Sequence, residues 1–219
     1  MIGGYDMFTK EDAAILDKVL ETRWTCRFFT DEVPSKEDVE EIIQAGIISP
    51  YASVASKEVV PFRHFYVFFK GDPRLPVIGE ILKKQTAIDI ENLKEEQKTN
   101  EYLRDNSESL LNMWKNGAEH GFPVFPDPPC LVVIAEWRGA RRAERQSLAH
   151  MLQNMWLKAT VMNYDFGIWS IFESLVDNQE FCDLFGLPAG RYGFHACVIG
   201  HHKGEVPAPR HATAEIHWM

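Results

Sequence analysis

The chain has 219 residues, a formal net charge of −9 and a hydrophobic content of 45%. A chain of this length can bury one sizeable core. The acidic balance argues against nucleic acid or an anionic membrane face as a partner, because both require a basic surface. Four cysteines, Cys26, Cys130, Cys182 and Cys197, occur without Cys-x-x-Cys spacing. That pattern argues against a zinc ribbon or a secreted disulfide framework and fits a reducing, cytoplasmic compartment. No basic and apolar leader opens the sequence, and no apolar run approaches the length of a membrane span. Aromatic residues make up 12% of the chain, with six tryptophans, which suits either a well-filled core or a site that stacks a flat ligand.

In chain order, Thr9-Lys10-Glu11-Asp12 predicts a capped helix start. Ile15, Leu16, Val19 and Leu20 follow at helical spacing and carry the helix to about Thr22. Pro34-Ser35-Lys36-Glu37-Asp38 repeats the arrangement, with Val39, Ile42, Ile43, Gly46 and Ile47 as the apolar face of a second helix that Pro50 ends. Pro61 to Phe69 reads as a buried strand, and residues 74–118 are mostly helical, with a solvated face where charges alternate over 91–104. Gly117 to Pro129, with four prolines, is expected to be a loop. Cys130 to Ala135 has the continuous apolar pattern of a central strand covered on both faces. A long helix is expected over about Arg142 to Tyr164, turn and strand over Gly167 to Val176, a short helix over Asn178 to Phe185 and a buried strand over Gly193 to Gly200. No Gly-x-Gly-x-x-Gly opens a helix. The class implied is α+β, one domain over 1–219 with a central sheet of four or five strands packed among helices.

The densest chemical signal is Arg23-Trp24-Thr25-Cys26-Arg27-Phe28-Phe29. Two guanidiniums four residues apart with a hydroxyl between them can hold a phosphate and an electron-rich heterocycle at about the span of a mononucleotide. Two arginines offsetting a helix macrodipole would give the same pattern. His201, His202, His211 and His217 fit no metal-ligand spacing and read as surface and C-terminal structural histidines, so no metal site is expected. Cys26 reads as a small apolar cysteine rather than a redox-active one.

The arginine segment is followed by the Val33-Pro34 turn, the helix Glu37 to Ile48, Ser49-Pro50-Tyr51-Ala52-Ser53 and Phe62-Arg63-His64-Phe65. Together these resemble the opening of the nitroreductase flavoprotein family, which reads approximately R-R-S-x-R-x-F, an amphipathic helix, A-P-S-A-x-N, then P-W-x-F. Gln153-Asn154-Met155-Trp156-Leu157-Lys158-Ala159 resembles the family's central helix, Leu187-Pro188 its G-x-P element and Val198-Ile199-Gly200 its last core strand. Pro209-Arg210-His211 through Glu215-Ile216-His217-Trp218 resembles its closing motif. The matches keep the family's order and cover roughly residues 12–70 and 128–218.

The resemblance implies a nitroreductase-like α+β fold with a mostly antiparallel sheet, FMN as cofactor and an interlocked homodimer. Arg23 and Arg210 would clamp the FMN phosphate, and Thr25 would add a hydroxyl, with Trp24 in the same cofactor-binding segment where the family has its second arginine. Arg27 would sit by the pyrimidine edge of the ring, where negative charge accumulates on reduction. Pro50, Tyr51, Ala52 and Ser53 would approach the flavin from the neighbouring subunit, and the backbone of Trp169 and Ser170 would face the ring. The reaction implied is ping-pong transfer from NAD(P)H to small flat acceptors such as nitroaromatics or quinones, with no protein acid or base, and residues 74–127 would shape the acceptor pocket. Alternatives on the same fold are reductive dehalogenation, flavin fragmentation or non-catalytic flavin binding. Departures from the family pattern are Tyr51 in place of serine, Val54 and Ala55 near the expected asparagine, Tyr164-Asp165-Phe166-Gly167 in place of a glycine-rich turn, and Ala208 in place of a basic residue.

Overall fold

A computed structural model describes residues 7–51, 61–139, 142–208 and 213–219. The first helix, α1 (Lys10–Thr22), starts as its sequence predicts. Thr9 Oγ1 accepts the Asp12 N–H at 3.2 Å while Asp12 Oδ2 accepts the Thr9 N–H at 2.8 Å, a reciprocal capping box. Helix α2 (Lys36–Ile47) is capped by Ser35 Oγ, which accepts the Asp38 N–H at 3.0 Å. After β1 (Arg63–Phe69) come α3 (Arg74–Gln97), α4 (Glu101–Asn106) and α5 (Glu108–His120), then β2 (Cys130–Trp137) and the long helix α6 (Glu144–Val161). The chain closes with β3 (Asp165–Trp169), a 3-10 helix (Ser170–Asp177), the short α7 (Gln179–Asp183) and β4 (Tyr192–Gly200).

The four strands form one antiparallel sheet in the order β1-β2-β4-β3. Both central strands are buried along nearly their whole length, as the unbroken apolar run in β2 requires. Leu131, Val133 and Ala135 of β2 and Phe194, Ala196 and Val198 of β4 point into one core with Leu75, Ile78 and Leu82 of α3 and Phe172 of the 3-10 helix. Cys130, Val132 and Ile134 with Cys197 and Ile199 point the other way, onto Ile42 of α2 and Leu148, Met151 and Met155 of α6. The period-two alternation of side chains thus feeds two cores at once, making an α+β fold of three layers.

Three boundaries differ from the sequence reading. Helix α6 stops at Val161, because Asn163 takes a left-handed conformation (φ 63°). There the Asn163 N–H donates to Thr160 O at 3.1 Å and the Tyr164 N–H to Ala159 O at 2.9 Å, the paired bonds of a Schellman cap. This releases the chain directly into β3, so the strand starts at Asp165, ahead of the turn and strand expected from Gly167. The stretch after Trp169 is a 3-10 helix rather than a strand. Its apolar residues Phe172 and Leu175 lie three apart and enter the same core. Gly117 to His120 belong to α5, and the loop begins at Gly121.

Strand β3 is an edge strand, and part of its outer edge is covered by residues 25–30. Thr25 bridges Phe166 in parallel fashion and the Cys26 N–H donates to Phe166 O at 3.0 Å. A Cβ at Gly167 would collide with the Cys26 carbonyl oxygen, a backbone atom with no room to rotate away. Gly167→Ala is therefore expected to destabilise the protein by about 1–3 kcal/mol, the usual cost of forced overpacking. Urea unfolding would show this as a lower midpoint at unchanged slope.

Candidate functional site

The arginine segment leaves α1 at Arg23, whose extended backbone (φ −60°, ψ 138°) ends the helix. From there its main chain is held by several backbone contacts. Beyond the pairing with Phe166, the Thr30 N–H donates to His201 O at 2.8 Å and the Lys203 N–H to Phe28 O at 2.9 Å. With the main chain so held, Arg27 and Phe28 project outward and are exposed, while Cys26 is fully buried. Burial pushes the Cys26 thiol up to about 12. It stays protonated, donating to Phe28 O at 3.2 Å, which suits packing and not redox chemistry.

Arg23 lies over the Trp156 ring, 4.8 Å from its centroid, so the arginine segment and the α6 motif, far apart in sequence, meet in space. Its Nε is buried without a hydrogen-bond partner among the described residues, an arrangement that costs stability unless something else accepts from it. Arg23 and Trp24 line a cavity of about 320 Å³ together with Thr160, Asn163, Asp165 and His202. The Schellman cap of α6 thus forms one wall and the chain just beyond β4 another, with Val206 also at the lining.

Asp165 is the hub of this corner. Its Oδ1 accepts the Trp24 indole N–H at 2.8 Å, and its Oδ2 accepts the His202 backbone N–H at 2.7 Å and lies 2.8 Å from His202 Nδ1. One carboxylate therefore ties the arginine segment, β3 and the chain after β4. At the far end of β3, Trp169 packs edge-on against Phe122 and Phe125, with centroids 5.7 and 5.8 Å away. Its side chain packs against the core, and Ser170 beside it is exposed. Phe122 and Phe125 are accordingly core-packed.

A second polar group lies at the diagonally opposite corner of the sheet. Arg63 Nε donates to Glu136 Oε2 at 2.8 Å, with both side chains nearly inaccessible. Arg63 Nη1 donates to Ile47 O at 3.3 Å, and its guanidinium stands 5.7 Å from the Tyr51 ring centroid. Burial raises the Glu136 carboxyl above its ordinary range, with the Arg63 charge opposing. This pair anchors the chain entering the Pro50 loop. Tyr51 is exposed, as is Pro50, whereas Ala52 and Ser53, like Arg210, lie outside the described residues. The structure thus brings Arg23, Trp24 and Thr25 to one corner with Arg27 nearby, and places Pro50 and Tyr51 at another. Asp165, Trp156, His202 and Arg63 were not singled out as site residues by the sequence; only their partners in space reveal them.

A crystal structure of a nitroreductase with bound FMN from Bacteroides fragilis superposes with a TM-score of 0.69 at 15% identity, covering 93% of this chain and 97% of that one. An iodotyrosine deiodinase bound to FMN and 3-iodo-L-tyrosine gives 0.64 at 15% identity, covering 93% and 98%. An FMN- and NADPH-dependent nitroreductase mutant from Sphigopyxis sp. strain HMH gives 0.60 at 12% identity, covering 90% and 94%. These likenesses define a shared fold. The model of the Nitroreductase family matches residues 20–201, and the chain belongs to that family. No curated protein matches the sequence.

Because Arg63 and Glu136 are buried as a pair, removing one partner leaves an uncompensated charge. Arg63→Met is expected to cost about 3–5 kcal/mol, and Arg63→Met with Glu136→Leu much less. A double-mutant cycle in urea would measure both.

Proposed function

We propose that the chain is an FMN-dependent reductase that accepts electrons from NAD(P)H and passes them to small flat acceptors such as nitroaromatics or quinones. The observation that carries this is the Arg23 corner, a cavity lined by a guanidinium with a buried, unpartnered Nε, in a chain of nitroreductase fold and family. These residues fit the cofactor. Arg23 and Arg210 would hold its phosphate by charge-assisted bonds and Thr25 would add a hydroxyl, with Trp24 beside them. Exposed Arg27 would stand by the pyrimidine edge of the ring, and the backbone of Trp169 and Ser170 would face it. Bound FMN supplies the redox chemistry, so the protein needs only to position the partners and place positive charge. The NADPH dependence of the Sphigopyxis nitroreductase mutant favours a nicotinamide donor.

Two further observations support a homodimer with shared sites. Along β4, the pairing carries the Arg63 corner, beside Glu136 and Gly193, seven residues from Gly200, the partner of Asp165. The corners are thus separated by roughly 24 Å along the strands and about 14 Å across them. A site using both Arg23 and the Pro50 to Ser53 loop would draw them from different copies. Helix α1 also presents Ile15 and Leu16 to solvent at 60% and 52% exposure, and Trp218 is 90% exposed, apolar surface that a second copy would cover. Residues 1–219 would form one domain, with 74–127 shaping the acceptor pocket. The four cysteines are buried free thiols, which suits a cytoplasmic location.

Reductive dehalogenation is the second activity to test, because the iodotyrosine deiodinase shares the fold over nearly its whole length. The purified protein is expected to show a flavin visible spectrum that bleaches on anaerobic NADPH addition and recovers with a quinone. Recovery with a halogenated phenol and halide release would favour dehalogenation, and a protein that takes up no FMN would refute both. Arg23→Ala is expected to weaken FMN binding by about 10- to 100-fold, the worth of a bond to a charged group.

A further inference from the structure

The cavity at the Arg23 corner is lined by the guanidinium of Arg23 and the imidazole of His202. Asp165 is its only carboxylate among the described lining residues. That carboxylate is already engaged by Trp24 Nε1, by the His202 backbone N–H and by His202 Nδ1. An ionised carboxylate can only accept, so the bond at 2.8 Å assigns the proton of neutral His202 to Nδ1. Nε2 makes no hydrogen bond among the described residues. Arg23 likewise forms no ion pair among them, and its Nε is buried and unpartnered. A lining of this kind is suited to an anion.

We propose that His202 is a phosphate-binding residue: with Nδ1 held by Asp165, protonation at Nε2 sets a second cation beside Arg23, and the FMN phosphate binds between them. This rests on FMN occupying the cavity as proposed above. The consequence is a cofactor affinity that depends on pH. A bound phosphate favours the protonated imidazole, so FMN is expected to bind more tightly at lower pH. The phosphate's own second ionisation lies near about pH 6, so it remains largely dianionic across the useful window above that value.

Among the described residues, the charged and titratable groups beside the ring come from three elements, and Lys203 follows it in the chain. Asp165 comes from β3 with Tyr164 just before it, Arg23 from the end of α1, and His201 is adjacent in the chain. His201 stacks on Tyr164 at 4.9 Å, and its Nε2 is directed to Glu32 at 3.8 Å. His202 is therefore the ring fixed by the Asp165 hub, and its two nitrogens have separable roles. Asparagine at 202 can keep the donor to Asp165 but offers nothing at Nε2, whereas glutamine can reach the Nε2 position with an uncharged donor.

The test is the dissociation constant of FMN and of riboflavin, which lacks the phosphate, from the full-length apoprotein by flavin fluorescence at about pH 6.5 and about pH 8.5, either side of most of a histidine titration. The wild-type chain is expected to bind FMN about tenfold more weakly at the higher pH, the worth of one charge-assisted bond, and riboflavin equally at both. His202→Asn is expected to bind FMN weakly at both pH values with riboflavin unchanged. His202→Gln is expected to bind FMN at intermediate strength without pH dependence. Circular dichroism checks that each variant is folded, and either variant alone suffices. A pH dependence that survives in the folded variant, a wild-type chain that binds FMN equally at both pH values, or parallel changes in FMN and riboflavin would overturn the role of His202. A wild-type chain that binds neither flavin would instead overturn the assignment of FMN itself.

Discussion

The free edge of β3 is the constraint around which the site is built. An unpaired edge is a row of donors and acceptors that native proteins cover or blunt. Here the cover is residues 25–30, which bridge Phe166 and continue past the chain that leaves β4. The cover is possible because Gly167 carries no side chain where the Cys26 carbonyl must lie. The backbone bonds of residues 25–30 fix which of their side chains face the interior. Cys26 goes in and Arg27 goes out.

The two cores explain why this edge can be held rigidly. The α2 and α6 layer supports one face and α3 with the 3-10 helix the other. Antiparallel sheets commonly leave one face wet, whereas this one is covered on both. Trp156 belongs to the α2 and α6 core and stacks on Phe166 of β3 while Arg23 lies over its ring. The cation is therefore seated on a wall that is itself part of the interior. Asp165 adds a polar tie at the same corner, so packing and hydrogen bonding specify one geometry.

Much of the architecture was legible because it rests on local pattern. The capping residues Thr9 and Ser35, the unbroken apolar run of β2 and the apolar face of α6 each state their structure within a few residues. What was hidden depends on distant partners. Trp24 and Asp165 are 141 residues apart, and Arg63 and Glu136 are 73 apart, so neither pair leaves a local signal. The strand expected after Gly167 was misplaced for a different reason. Short apolar runs fit either a strand or a helical turn, and the cap at Asn163 moved the strand's start earlier. The arginine segment is the intermediate case. Its chemistry was readable from residue type, whereas the unpartnered Arg23 Nε and the cavity beside it emerged only once α6 was seen beneath it.

The diagonal separation of the Arg23 and Arg63 corners has a genetic consequence. If each flavin site takes one corner from each copy, a chain damaged at Arg23 and another damaged in the loop beside Tyr51 are each inactive alone. Mixed within one assembly, both lesions fall on the same site and the other site is built wholly from sound parts. Coexpression of two defective alleles would then restore up to half of the sites in mixed assemblies, an intragenic complementation that follows from the shape of the sheet.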